Sequence, residues 1–430
     1  MKSPDNVMKN RNFVLVFLGA LVSELGAILY NFAVSFYILQ VSGNSAFLQG
    51  LYLALCGITM LLFTPVGGVL GDRRNKARIM YVCDYLKGGL ILAAAGLMLL
   101  FRDSQSHLII LFCMGIAENA IGGIFSPAAE ALIPHIVPED RLQQANSYMT
   151  MKSSFESIFG IVLAGVLYAA MPVTVLFAAV GICYVLSGVS EMLIRYRHEA
   201  SAGRLTLKIV FADMKDGLRY VRSRKAILFL LGSILFINFF YAPVISNFIP
   251  FFVRTDIAGA PSFLFDSLLT PELWSSVFSL CIGVGTLIGA AVLSSRKPAE
   301  KCGHSIAVTL CIDSGVMILL TLGYWFLVDQ RKMLNPFLIL FGIGCLAEGL
   351  LVSLINIPAA STLMRIVDRD KLSKVNSITN VGSQGLIPIA SVLAGAVLQS
   401  CGSTLLLTVC TLGFTATALL MLFSKPLREI

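Results

Sequence analysis

Twelve apolar runs constrain this chain more than any other feature, because each is long enough to cross a lipid bilayer. About 20 apolar residues span the roughly 30 Å hydrocarbon layer as an α-helix. The runs are continuously apolar rather than alternating, which favours helices over a β-barrel. A content of 57% hydrophobic and only 13% charged residues is typical of a polytopic membrane protein. The predicted spans lie near residues 13–39, 47–71, 79–101, 108–132, 145–170, 173–194, 227–252, 273–294, 304–328, 336–363, 376–399 and 403–423.

The basic residues lie almost entirely on one side of the predicted spans. If the amino terminus is cytoplasmic, the inside connections hold 26 Lys and Arg residues. The outside connections hold only Arg102, Arg254, Arg331 and Lys332. This positive-inside pattern predicts a multi-pass protein of the inner (cytoplasmic) membrane with both termini in the cytoplasm. The net charge of +8 therefore reflects topology, and we expect no nucleic-acid partner. The polar segment 1–12 and the length of the first run do not match a cleavable signal peptide.

The two halves of the chain are related by an internal repeat of about 230 residues. PAAEAL at 127–132 matches PAASTL at 358–363, and VLAG at 162–165 recurs at 392–395. Two halves of six spans each, in the same orientation, are the parallel-repeat pattern of transporters. The sequence therefore predicts an all-α membrane protein of twelve transmembrane helices, arranged as two six-helix parallel repeats.

The longest predicted cytoplasmic connection joins the two halves. Residues 195–226 combine nine basic side chains with apolar residues at helical spacing. This pattern is typical of an amphipathic helix on an anionic membrane surface, and a solvated linker helix is the alternative. We predict an amino-terminal bundle over 1–194, this amphipathic linker over 195–226 and a carboxy-terminal bundle over 227–430.

A charged turn between the second and third runs resembles a known signature. GGVLGDRRNKAR at 67–78 is similar to the loop 2–3 motif of the major facilitator superfamily, with Asn75 where a glycine is usual. Asparagine tolerates a left-handed backbone, so we expect the turn geometry to be kept. The resemblance implies that Asp72 and Arg73 steady the outward-facing state of a transporter. The residues of this expected conformational gate are Gly68, Asp72, Arg73, Lys76 and Arg78.

Two further segments resemble one branch of that superfamily. FADMKDGLRYV at 211–221 is similar to the linker of the macrolide-efflux and enterobactin-exporter branch, and IVPEDRL at 136–142 points the same way. The fifth span keeps only Gly160 and Gly165 of the family's antiporter signature. That departure argues against antiport, whereas the branch resemblance implies efflux.

Three acidic residues lie deep within predicted spans. Glu24, Glu118 and Glu348 are about 17, 15 and 18 Å from the ends of their spans at 1.5 Å per residue. An acid at this depth is costly and is by default functional. Glu118 and Glu348 occupy matching places in the two repeats. The resemblance implies that all three face a central cavity, where they would bind protons or substrate charge. The alternative is an acid satisfied by interhelical hydrogen bonds.

Polar residues on the same or neighbouring spans are predicted to shape a binding pocket with these acids. They are Asn31, Asn119, Asn238, Tyr241, Asn356 and Asn380.

Other intramembrane charges are given structural roles. Lys152 and Glu156 are spaced i, i+4 and are predicted to form an ion pair. Asp84 and Lys87 lie near the cytoplasmic end of the third span, where we expect Lys87 to snorkel towards the interface. For Asp313 a packing role is predicted.

The sequence contains no pattern that indicates an enzyme. The ten cysteines are scattered without a CxxC pair, and there is no metal-ligand spacing, nucleotide-binding loop or nucleophile elbow. We therefore expect no cofactor and no metal.

These observations predict a secondary active transporter that exports a small hydrophobic or amphipathic molecule by alternating access. Proton-coupled antiport of the multidrug or macrolide type, which confers drug resistance, is the leading hypothesis. The expected partners are a small-molecule substrate, protons and the bilayer, and the expected state is a monomer. The alternatives are a siderophore or lipid exporter of the same fold, and a non-transporting membrane receptor or interaction protein.

Overall fold

The computed structural model describes residues 7–138, 141–195, 215, 218–294, 302–367 and 385–424, and these residues form helices joined by turns and, at 258–270, by a longer loop. The α-helices are α1 (Arg11–Val41), α2 (Ala46–Arg73), α3 (Lys76–Leu100), α4 (Ser104–Ile136), α5 (Leu142–Phe155), α6 (Ile161–Ala170), α7 (Val173–Met192), α8 (Lys225–Pro243), α9 (Ile249–Phe252), α10 (Pro271–Ser294), α11 (Cys302–Gly323), α12 (Leu334–Ile366), α13 (Ile387–Cys401) and α14 (Ser403–Phe423). Short π-helical segments extend several of them, at Glu156–Gly160, Val244–Phe248, Val253–Ile257 and Tyr324–Gln330.

Eleven helical stretches in the described residues are long and apolar enough to cross a membrane. They coincide with eleven of the twelve predicted spans, and the all-helical prediction is confirmed. The exception is the span predicted at 376–399, because residues 368–384 lie outside the described part. There the structure shows the apolar helix Ile387–Cys401, which is 15 residues long.

The chain divides into two compact units. The first comprises Met1–Gly43 and Leu55–Val210, and the second comprises Asn44–Ala54 and Phe211–Ile430. In the first unit α3 packs against α4 and α7, and α1 packs against α7. In the second unit α12 packs against α10 and α11, and α14 packs against α8 and α11. Most of the linker predicted at 195–226 lies outside the described residues.

The charged turn between the second and third spans is shorter than the predicted runs, which end at 71 and begin at 79, imply. Helix α2 ends at Arg73 and α3 begins at Lys76. The expected left-handed backbone at Asn75 is wrong: its φ is −61° and its ψ is 115°. Asn75 is the N-cap of α3, and its side chain accepts a hydrogen bond from the Arg78 backbone N–H at 3.1 Å. This capping geometry requires an extended backbone, which explains the difference.

The gate residues predicted at this turn lie in different surroundings. Lys76 is buried at the start of α3, whereas Arg78 is exposed. Gly68 lies within α2, and a Cβ added to it would meet no atom within 4 Å. The side chains of Asp72 and Arg73 lie outside the described part of the structure.

Asn10 joins the start of α1 to the end of α4. Its Oδ1 accepts hydrogen bonds from the backbone N–H groups of Asn12 at 3.0 Å and Phe13 at 3.4 Å. Its Nδ2 donates to the Ile136 carbonyl at 2.8 Å. The residue is therefore both an N-cap and a tether between two helices of the first unit.

Asn10→Ala is expected to lower the unfolding free energy of the first unit by about 1 kcal/mol, the usual cost of losing an N-cap. Thermal melting of the purified protein in detergent measures this change. Asn10→Asp is the matched control, since it keeps the acceptor and loses only the donor to Ile136. If Asn10→Asp melted as early as Asn10→Ala, the tether to α4 rather than the cap would carry the effect.

Candidate functional site

A buried ion pair joins two helices of the first unit. Lys87 Nζ on α3 lies 2.9 Å from Glu118 Oε1 on α4, and each side chain is only 10% exposed. Helix α3 runs directly alongside α4, which brings these two positions together. A pair in the membrane interior is stable only when both charges are present, because an unpartnered charge there is very costly.

Aromatic rings complete the surroundings of the Lys87 ammonium group. Its Nζ lies 5.3 Å from the centre of the Tyr184 ring and 5.6 Å from the centre of the Phe125 ring. The negative faces of such rings stabilise a cation that has left water. The expectation that Lys87 snorkels to the interface is therefore wrong. It lies near the middle of α3, which begins three residues earlier than the predicted span, and it is held there by a carboxylate and two rings.

Two more acids are buried near this ion pair. Asp84 lies one turn before Lys87 on α3 and is 1% exposed, and Glu191 on α7 is fully buried. In the described part of the chain none of their four carboxyl oxygen atoms has a hydrogen-bond partner. Among the described residues, the group of buried charges around this ion pair therefore contains three acids, Asp84, Glu118 and Glu191, and one base, Lys87.

A pair of acids occupies the interior of the second unit. Asp313 on α11 and Glu348 on α12 are 1% and 5% exposed. Their carboxyl groups lie beside each other, and Asp313 Oδ1 and Glu348 Oε2 have no hydrogen-bond partner among the described residues. Glu348 also lines an interior cavity of about 30 Å³ that is bordered by Tyr241 and Thr321. The packing role predicted for Asp313 is therefore incomplete, because its carboxyl group faces another acid.

The remaining predicted pocket residues are distributed over both units. In the first unit Glu24 and Asn31 are exposed on α1, and Asn119 donates from Nδ2 to the Gly115 carbonyl of its own helix at 2.9 Å. In the second unit Asn238 is half-buried and Asn356 is exposed. Asn380 lies outside the described residues.

Lys152 and Glu156 are in contact, at the point where α5 passes into a π-helical segment. Lys152 Nζ lies 2.9 Å from both Glu156 carboxylate oxygens. Both side chains are more than nine-tenths buried. Because the two residues lie on one helix turn, the pair neutralises its own charges without another helix.

Sequence reasoning missed the involvement of Asp84, Glu191 and Asp313. The signal that could have found two of them is the repeat itself. Asp84 and Asp313 are 229 residues apart, and Glu118 and Glu348 are 230 residues apart. Each repeat thus carries an acid on its third span and another on its fourth. No comparable signal marks Glu191.

Comparison with known proteins agrees with this architecture. The family model "Major Facilitator Superfamily" matches residues 16–391. The uncharacterized MFS-type transporter YkuC of Bacillus subtilis (strain 168) is 23% identical over 385 residues, covering 87% of this chain and 82% of the relative. Macrolide efflux protein A of Streptococcus pyogenes is 23% identical over 384 residues, covering 89% of this chain and 88% of the relative.

Among solved structures, a bacterial homologue of the iron transporter ferroportin in an inward-facing state has the same fold. The TM-score is 0.74 at 15% sequence identity, and the match covers 96% of this chain and 98% of that chain. The helical spans, the buried intramembrane charges and the match of the family model lead to one conclusion. The chain belongs to the major facilitator superfamily of membrane transporters.

Proposed function

We propose that this transporter exports a small hydrophobic or amphipathic molecule in exchange for protons. The observation that carries the proposal is the set of acids buried inside its membrane spans. Burying an ionised carboxylate without a partner costs far more than burying a neutral acid. A superfamily transporter that keeps such acids in its interior therefore has groups suited to taking up and releasing protons.

The acids divide into two classes by their partners. Glu118 has a fixed cation in Lys87, so we assign it a permanent charge rather than a mobile proton. Asp84, Glu191, Asp313 and Glu348 have no cation at ion-pair distance in the described residues, and we propose them as the proton-carrying group.

Exposed polar residues on the spans are the proposed substrate contacts. Glu24 and Asn31 are two turns apart on α1, so they share one face of that helix, and both are exposed. Asn119, Asn238, Tyr241, Asn356 and Asn380 complete the proposed pocket. In the described spans Lys87 and Lys152 both pair with glutamates. The absence of a free midmembrane cation among them favours a neutral or cationic substrate over an anionic one.

The likeness to macrolide efflux protein A supports export of a hydrophobic or amphipathic molecule of the macrolide type. We propose that both termini are cytoplasmic, as the positive-inside pattern predicts, and that the turn after α2 acts as the cytoplasmic gate. Its residues remain Gly68, Asp72, Arg73, Lys76 and Arg78.

Radiolabelled erythromycin uptake into everted membrane vesicles tests the proposal. With an acid-inside pH gradient, vesicles containing the protein are expected to accumulate the macrolide, because inward-pumped substrate exchanges for outward-moving protons. Nigericin with potassium, which collapses the pH gradient, is expected to abolish accumulation. Vesicles lacking the protein are the control.

Accumulation that persists after the gradient is collapsed would refute proton coupling. If neither erythromycin nor the cationic dye Hoechst 33342 accumulated in vesicles that contain folded protein, the proposed substrate class would be refuted.

A further inference from the structure

The two repeats carry the same pair of acids but compensate them differently. The repeat relates Asp84 on α3 to Asp313 on α11, and Glu118 on α4 to Glu348 on α12. In the first unit the glutamate forms an ion pair with Lys87. The same offset that relates Asp84 to Asp313 places Val316 at the position of Lys87. The second repeat therefore has the acids without the base.

The contact between Asp313 and Glu348 has a chemical requirement. An ionised carboxylate is only an acceptor, so two carboxyl groups can hydrogen bond to each other only if at least one of them is protonated. Two bare carboxylates this close in a medium of low dielectric would repel strongly. A single proton shared by the pair would remove this repulsion and let one carboxyl group donate to the other.

The surroundings of the pair supply no positive charge. The titratable groups that face it are Tyr241 from α8 and Cys345 from α12, with Cys281 of α10 beside Cys345. Phenol and thiol groups are ordinarily neutral at pH 7. From α14 the facing residues are hydroxyl-bearing, with Thr415 bonded to Ser314 at 2.8 Å and Thr411 bonded to Thr321 at 2.7 Å. No basic side chain among the described residues contacts either acid.

We propose that Asp313 and Glu348 form the exchangeable proton-binding site of the transporter, and that the valine at position 316 is what keeps this site available. In the first repeat Lys87 occupies the equivalent position and makes the equivalent glutamate a fixed charge. Of the two equivalent glutamates, only Glu348 in the second repeat is therefore available for proton exchange. The coupling part of this inference rests on the proposed function, whereas the proton-binding part does not.

The interior cavity beside the pair offers a way for the proton to exchange. Its volume of about 30 Å³ has room for a water molecule, and it is lined by Glu348, Thr321 and Tyr241. In the described structure Glu348 Oε2 has no hydrogen-bond partner in the protein. A water molecule donating to this oxygen and bonded to the Thr321 hydroxyl would connect the pair to the polar contacts between α11 and α14.

Infrared difference spectroscopy tests the proton-binding part without any substrate. The spectrum of the wild-type protein minus that of Asp313→Asn/Glu348→Gln at pH 7 is expected to contain a carboxylic-acid C=O band that shifts in D2O. The double variant is isosteric, so it removes the acids without changing the packing. The same subtraction with Glu130→Gln, an exposed acid of α4, is expected to show no such band. Absence of the band from the first spectrum would overturn the proposal.

Val316→Lys tests the role assigned to the missing base. The new ammonium group is expected to pair with Glu348, as Lys87 pairs with Glu118, and the carboxylic-acid band should weaken. Val316→Met has a similar length without the charge and should leave the band unchanged. If Val316→Lys folded and kept the full band, protonation of the pair would not depend on the absence of a base at position 316. If it did not fold, the double variant above would still decide the proposal.

A transport measurement with erythromycin as the probe distinguishes proton binding by the pair from its role in coupling transport to the proton gradient. Asp313→Asn/Glu348→Gln should keep exchange of labelled for unlabelled erythromycin and lose accumulation driven by a pH gradient. Accumulation equal to that of the wild-type protein would overturn the coupling role. If the wild-type protein transported no erythromycin, the proposed function would be refuted. The infrared experiment would still test proton binding by Asp313 and Glu348 independently.

Discussion

Lys87→Met is expected to destabilise the first unit by about 3–5 kcal/mol, the usual cost of removing one partner from a buried ion pair. The change leaves the Glu118 carboxylate buried between α3 and α4 without a counter-charge. We expect a lower yield of folded protein, a lower melting temperature in detergent and loss of transport. Fluorescence-detected size-exclusion chromatography and a thermal melt measure the first two effects.

The double variant Lys87→Met/Glu118→Gln is expected to restore folding, because replacing a whole buried ion pair by neutral groups is often close to neutral. It should also restore gradient-driven transport, since the first repeat provides a fixed pair and the proposed proton site lies elsewhere. Leu86→Met is the matched control, because Leu86 is exposed on the same helix. A Lys87→Met protein that melted like the wild type would show that Glu118 does not depend on Lys87. A folded double variant without transport would assign the charges of this pair a direct part in the cycle.

Gly349→Val is expected to prevent folding of the second unit. Helices α10 and α12 touch backbone to backbone, so a Cβ at Gly349 would lie against the carbonyl group of Ile282. A Cβ at Gly285 would likewise meet the carbonyl oxygen of Leu346. Backbone atoms cannot rotate away as a side chain can, so the helices must separate. We expect a loss above the usual overpacking range of about 1–3 kcal/mol, large enough to prevent folding.

Separation of α10 and α12 would also break a polar contact between them, since Ser353 Oγ donates to the Thr286 carbonyl at 2.8 Å. Gly342→Ala is the control on α12, because a Cβ there meets no atom within 4 Å. Monodisperse elution and an unchanged melting temperature are expected for the control, and an aggregated or absent peak for Gly349→Val. A folded Gly349→Val protein would contradict the close approach of the two helices.

Much of the fold could be predicted because the membrane imposes a simple rule on length and polarity. Each described span coincides with a predicted apolar run, although the helices extend beyond the runs at several ends, as α4 does from Ser104 to Ile136. Polar residues at those ends can continue a helix outside the hydrocarbon layer, and hydropathy does not detect them. The error at Asn75 has a similar origin, because a motif specifies residue types and not the side-chain hydrogen bond that selects the backbone conformation.

The candidate site was only partly predictable. The repeat identified Glu118 and Glu348 as equivalent, but their partners lie on other helices. Lys87 approaches Glu118 from α3, and Asp313 approaches Glu348 from α11. Spans that are apolar on every side give no clear periodicity, so the sequence does not show which face of each helix turns inward.

Hydropathy and the internal repeat are enough to show that this chain spans a membrane, that it contains two related halves, and that acids occupy equivalent depths in both. What those acids contact depends on how the helices pack against one another. In a bilayer, helix rotation is set by close packing and interhelical polar contacts rather than by exclusion of water. For that reason the consequence of having a lysine at 87 and a valine at 316 can be seen only in the packed structure. In the first repeat the glutamate faces a cation, and in the second it faces another acid.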